Sequence, residues 1–142
     1  MRIEKVKTEE QKNDAFSIRR VVFVDEQQVP EELELDEHDD SAVHFVGYED
    51  NTPVAAGRMR EFDGYGKLER ICVLKNHRGK QYGKRIILGM ESFILDQGLN
   101  QAKLNAQTHA EAFYRSLGYE TISDEFMDAG IPHVTMIKSL SH

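Results

Sequence analysis

Apolar positions recur along the chain at two spacings, and the switches between them predict the elements. Ile3 and Val6 mark a short strand over residues 2–7. Thr8-Glu9-Glu10-Gln11 has the form of a capping box, Thr at the N-cap and Gln three positions later, and predicts a helix reaching about Gln27 that buries Ala15, Ile18 and Val22. Pro30 stops it. Residues 41–48 and 53–62 are strand-like around the turn Glu49-Asp50-Asn51-Thr52, and Asp63-Gly64-Tyr65-Gly66 turns into a third strand over 67–74. Ile86, Ile87, Met90, Phe93 and Ile94 fall at helical spacing, so residues 78–97 read as an amphipathic helix with Gly98 just beyond its end. A strand at 103–107, a short helix at 109–117 stopped by Gly118, and a strand pair at 119–124 and 133–139 complete the order β-α-β-β-β-α-β-α-β-β. This predicts an α/β (α+β) domain with an antiparallel meander in its first half.

The length of 142 residues fits one domain, residues 1–142, with enough chain to bury a core unaided. Apolar residues make up 39% and charged residues 30%, a globular balance. The longest apolar run, Val21 to Val24, is far short of a membrane span, and Met1 to Glu10 lacks the apolar core of a secretory signal. One cysteine, Cys72, suits a reducing compartment, so a cytoplasmic location is expected.

Charge divides the chain. The net charge is −7, yet no Lys or Arg occurs between Val21 and Gly57, where the carboxylates include Asp25, Glu26, Glu31, Glu32, Glu34, Asp36, Glu37, Asp39 and Asp40. Such a run reads as a solvated loop, or as an acidic wall favouring a cationic amine. It would repel nucleic acid, and no nucleic-acid or membrane partner is expected. Basic residues gather instead at Lys75, His77, Arg78, Lys80, Lys84 and Arg85. Asp36, His38, Asp40 and His44 have metal-ligating chemistry, but Ser41 and Gly47 stand where a calcium loop needs Gly and Glu, and no metal is expected.

The basic cluster lies on a turn with two glycines, after a strand ending Ile71-Cys72-Val73 and before the amphipathic helix. The first N–H groups of a helix lack intrahelical acceptors, and the helix dipole adds positive potential there. With Arg78, Lys80 and Lys84 added, such a turn suits a pyrophosphate. Gly79 and Gly83 are one residue too close for a P-loop, and a third glycine for a dinucleotide fingerprint is missing.

Arg78-Gly79-Lys80-Gln81-Tyr82-Gly83 resembles the (Arg/Gln)-x-x-Gly-x-(Gly/Ala) pyrophosphate loop of the GNAT acetyltransferase superfamily. Gln107-x-x-Ala110-x-x-x-Tyr114 followed by Gly118-Tyr119 is similar to that family's Asn-x-x-Ala-x-x-x-Tyr ahead of Gly-Phe. Arg20 to Gln27, Ala55 to Arg60, Leu104 to Gln107 and Gly130 to His133 resemble its ElaA-like branch. The resemblance implies a mixed, mostly antiparallel sheet with splayed strands, helices on both faces and acetyl-coenzyme A as co-substrate. It implies cofactor contacts from Ile71, Cys72 and Val73, from Arg78, Gly79, Lys80, Gln81, Tyr82, Gly83 and Lys84, and from Gln107 and Phe113. The Val73 N–H would polarise the thioester carbonyl, and Tyr114 would protonate the departing thiolate. Gln81 replaces the middle glycine, where a side chain is tolerable if the backbone is already helical with negative φ. Gln107 replaces the frequent Asn.

An attacking amine must lose a proton. Glu69 is the first candidate base, on the expectation that Glu69, Ile71 and Val73 share one strand face; a salt bridge to Arg58 or Arg60 is the competing role. His133 is the second, since histidine ordinarily ionises near neutrality. Glu26 could contact a cationic substrate group. Cys72 could carry an acyl group or serve as a small buried hydrophobe. The expected function is acetyl transfer to a primary amine on a small molecule or peptide, by a monomer or a homodimer. An acyltransferase of the acyl-homoserine-lactone-synthase type and a non-catalytic acyl-coenzyme A binding module remain as alternatives.

Overall fold

The computed structural model describes residues 1–141. Its strands are β1 (Arg2–Lys5), β2 (Val43–Glu49), β3 (Thr52–Phe62), β4 (Tyr65–Val73), β5 (Gln101–Gln107), β6 (Glu120–Thr121), β7 (Phe126–Asp128) and β8 (Ile131–Ser139), and its α-helices are α1 (Glu9–Arg19), α2 (Glu31–Glu34), α3 (Tyr82–Asp96) and α4 (Glu111–Ser116). All eight strands form one sheet in the order β1-β2-β3-β4-β5-β8-β6, with β7 on β8. Every pairing is antiparallel except β4 with β5. Among the described residues no helix is long and apolar enough to cross a membrane.

Local sequence explains much of this. The capping box forms as expected: Thr8 Oγ1 accepts from Gln11 N at 3.1 Å, and Gln11 Oε1 accepts from Thr8 N at 3.3 Å. Asp50 and Asn51 both have positive φ, as do Asp63 with Gly64 and Ala129 with Gly130, the requirement of two-residue type I′ hairpins. Helix α3 buries Ile86, Ile87, Met90 and Ile94 against one sheet face, so close at Gly66 that a Cβ there would lie 2.5 Å from Ile94. On the opposite face α1 packs Ala15 and Ile18, followed by Val22, against Val46, Ala56 and Cys72.

Several boundaries move. The first helix does not run regularly to Gln27: residues Arg20–Glu26 form a π-helical turn, with Gln27 N bonded to Val22 O at 3.0 Å. Helix α3 starts at Tyr82 rather than Arg78, because Gln81 is left-handed. The strand expected over 119–124 shrinks to β6, and an unforeseen β7 pairs with the start of β8.

Two irregularities open the sheet. The β4–β5 ladder runs only from Gly66 opposite Ala102 to Leu68 opposite Leu104, after which the strands part. Between β3 and β4 the register slips, Ala56 opposing Cys72 but Arg58 opposing Glu69, with Arg70 at φ 55 in the bulge. The extra residue inverts the alternation. Glu69 therefore shares the α1 face with Arg58, whereas Ile71 and Val73 pack toward the α3 core. The expectation that these three share one face is corrected by this bulge.

Candidate active site

The parted strands border a cleft of about 940 Å³ that passes from the N-terminus of α3, between β4 and β5, to the α1 face of the sheet. Of the sequence candidates, all the proposed cofactor contacts except Lys80 line it, together with Tyr114, Glu69, His133 and Glu26.

At one end the cleft meets the basic turn. Gly79 has φ +85 and Gln81 φ 63, so both adopt a conformation suited to glycine; negative φ at Gln81 is not found. No side chain caps α3, and its first intrahelical bond is Arg85 N to Gln81 O at 3.1 Å. The amides ahead of Arg85 are thus left for an external acceptor. Among the described residues Lys84 has no ion pair, while Lys80 turns to Glu49 at 3.2 Å and the Tyr82 hydroxyl also bonds Glu49. Arg78 is held by both oxygens of Glu26 at 2.6 and 2.7 Å, and its Nε donates to Val73 O at 2.9 Å. The hydrogen bonds from Arg78 hold the Glu26 carboxyl below its ordinary range. The substrate contact expected of Glu26 is, in this state, an ion pair across the cleft mouth.

In the middle, backbone geometry decides. Leu74 N bonds Val54 O at 2.9 Å, which makes Val54 and Leu74 a hydrogen-bonded pair. Val73, opposite Ala55, then occupies a non-bonded position, and its N–H turns away from β3 to where β5 has parted. The Tyr114 hydroxyl has no hydrogen-bond partner among the described residues, and burial together with nearby Cys72 pushes its pKa up to about 12. Cys72 is buried and also pushed up to about 12 by desolvation, so it stays a thiol and its packing role prevails. Gln107 Nε2 donates to Gln27 Oε1 at 2.9 Å, tying β5 to the π-helical turn across the cleft. Phe113 stacks edge-on against Tyr114 near Gly83.

At the α1 end the acidic segment is solvated only in part: Asp25, Glu31, Glu32, Glu37 and Asp40 are exposed, whereas Glu34, Asp36 and Asp39 turn inward. Glu34 and Asp39 are buried; Arg19 bonds each at 2.7 Å, and Arg58 bonds Asp39 at 2.9 Å and Asp36 at 2.7 Å. Those three form no acidic wall toward the cleft, because they turn onto arginines, and none of residues 31–40 lines it. Glu69 takes Arg60 at 2.7 Å and Arg58 at 2.9 Å. Burial would raise its pKa, but the Arg60 hydrogen bonds and the Arg58 and Lys67 charges outweigh it and hold the carboxyl at about 2. His133 differs. Its Nδ1 lies 2.7 Å from Ile131 O, which assigns the proton to Nδ1 and leaves Nε2 as acceptor, and its ring stacks on Phe126. Asp36 and His44 are spent on Arg58 and the Asp39 carbonyl, and no group of three or more His, Cys, Asp or Glu among the described residues could hold a metal.

Sequence reasoning missed Phe23 and Gln27 on the cleft wall, and Lys67, Arg70, Asn105 and Asp128 around the α1 end. Asp128 had a local signal in the Ala129-Gly130 turn. The others had none, because their position depends on the bulge, the π-helical turn and the parting of β4 from β5.

The acetyltransferase (GNAT) domain family model matches residues 5–140. The chain is 52% identical over 133 residues to the uncharacterized N-acetyltransferase YjcF of Bacillus subtilis (strain 168), covering 93% of this chain and 95% of that one. Its fold is similar to the crystal structure of Escherichia coli ElaA, with TM-score 0.87 and 22% identity over 97% of this chain and 99% of that one. It is also similar to an aminoglycoside 6′-N-acetyltransferase complexed with coenzyme A, with TM-score 0.78 and 14% identity over 98% and 97% of the two chains. A sheet parted beside an uncapped helix end, in this company, is that of an acyltransferase. The chain belongs to the GNAT acetyltransferase family.

Proposed function

We propose that the protein transfers an acetyl group from acetyl-coenzyme A to a primary amine by direct attack. The observation carrying this reading is the uncapped start of α3 beneath the left-handed Gly79 and Gln81, at the mouth of a cleft between parted strands. Free main-chain amides, a helix dipole and Lys84 suit a pyrophosphate there. The coenzyme A complex of a protein with the same fold is consistent with this use.

Each remaining residue has a matching task. The Val73 N–H, freed from the β3 ladder, donates to the thioester carbonyl oxygen, a preorganised contact worth a few kcal/mol as charge develops. The amine approaches from the α1 face. His133 Nε2 accepts its proton, directly or through water, in preference to Glu69, whose oxygens are engaged by arginines. As the amine's C–N bond forms, the C–S bond breaks with its electron pair going to sulfur, and the Tyr114 hydroxyl gives that sulfur a proton. Burial keeps Tyr114 protonated until then.

Calorimetric titration with acetyl-coenzyme A, followed by turnover on an amine panel, tests the assignment. Saturable binding and release of free thiol only when an amine is present are the expected results. Absence of binding, or a longer acyl donor outcompeting acetyl, overturns it. A His133→Gln variant should lose most of the rate while still binding acetyl-coenzyme A.

A further inference from the structure

We infer that the amine acceptor also carries a carboxylate, read by Lys67, several bonds away from the amine; this rests on the acetyltransferase reading above. Four arginines, Arg19, Arg58, Arg60 and Arg70, meet four carboxylates, Glu34, Asp36, Asp39 and Glu69, in one connected network. Glu34, Asp36 and Asp39, the inward carboxylates of the acidic segment, are consumed in that network, and none of residues 31–40 lines the cleft.

Lys67 is the odd cation. Its Nζ lies 3.4 Å from Glu69 Oε2, a long contact to a carboxylate already bonded by Arg58 and Arg60, and its side chain is 24% exposed on the cleft wall. Lys103 stands beside it in parallel register, which leaves positive charge on this part of the sheet. Across the cleft, Asp128 has no ion pair among the described residues and neighbours the strand that carries His133. The site is therefore polarised. Asp128 and His133 face the amine, cationic on arrival, and Lys67 faces an anion.

Spacing sets the class of acceptor. Lys67 and Val73, whose N–H is assigned to the thioester carbonyl, stand six residues apart on β4 with the Arg70 bulge between them. An acceptor that reaches both has its amine and carboxylate several bonds apart, as in an ω-amino acid or a short peptide, rather than on one carbon as in an α-amino acid.

Three amines of equal chain length test this: aminocaproate, n-hexylamine and hexamethylenediamine. With the wild-type protein, kcat/KM for aminocaproate should exceed that for hexylamine about tenfold, through KM, as expected for a hydrogen-bonded charge pair. Lys67→Met should erase that ratio, and Lys67→Arg should retain it. Preference of the wild type for the diamine, survival of the ratio in Lys67→Met, or acetyl-coenzyme A binding without acetylation of any anionic amine overturns the inference and leaves the acetyltransferase reading standing. Failure to bind acetyl-coenzyme A overturns both. The wild-type comparison needs no variant, so a poorly folding Lys67→Met does not rescue the idea.

Discussion

Replacing Glu69 by Gln separates a structural anchor from a catalytic base. In the folded protein this carboxyl titrates at about 2, against an ordinary value of 4.5. At ~1.4 kcal/mol per tenfold change in proton affinity, the difference corresponds to about 3 kcal/mol favouring the folded state. Its side chain is only 14% exposed, so solvent screening removes little of this. The sign follows from the lowered pKa. The stabilisation is present in full above the unfolded value and is lost as pH falls toward 2, because the unfolded chain takes up the proton first. Glu69→Gln should therefore cost about 3 kcal/mol in urea unfolding at pH 7. The deficit should shrink as pH is lowered below the ordinary carboxyl range, where the wild type loses the same charge. Activity per folded molecule should change less than about tenfold, since His133 remains. A variant as stable as wild type at neutral pH, with kcat reduced a hundredfold or more, would refute the argument and return the base role to Glu69.

Tyr114→Phe should lower kcat about a hundredfold or more with little change in KM for acetyl-coenzyme A, measured by thiol release; unchanged kcat would remove the acid role. Gln81→Gly should stabilise the fold, because a left-handed L-residue costs about 1–2 kcal/mol and glycine returns about 0.5–1 of that as chain entropy. A rise in Tm of about 2–4 °C is expected, and a fall would contradict the reading of that turn. Glu26→Gln should release Arg78 from its carboxylate and tighten coenzyme A binding about three- to tenfold at low salt; weaker binding by calorimetry would show that the ion pair helps form the site.

What the chain determines by itself is whatever neighbouring residues settle between them. Thr8 and Gln11 close a capping box, Asp50-Asn51 and Asp63-Gly64 supply the positive φ of tight hairpins, and the spacing of Ile86 to Ile94 fixes the buried face of α3. The glycine-basic turn before that helix could be read for the same reason, since a helix start leaves its amides free wherever it occurs. Tertiary structure decided the rest. The bulge at Arg70 turned Glu69 away from Ile71 and Val73, a change no alternation pattern reveals. Glu34, Asp36 and Asp39 looked solvated like the rest of the acidic segment because their partners, Arg19, Arg58 and Arg70, lie on three other elements. Whether a carboxylate faces water or a guanidinium depends on which distant segment folds against it. Coulomb and desolvation energies depend on distance in space, so the order of residues leaves them open until the sheet is assembled.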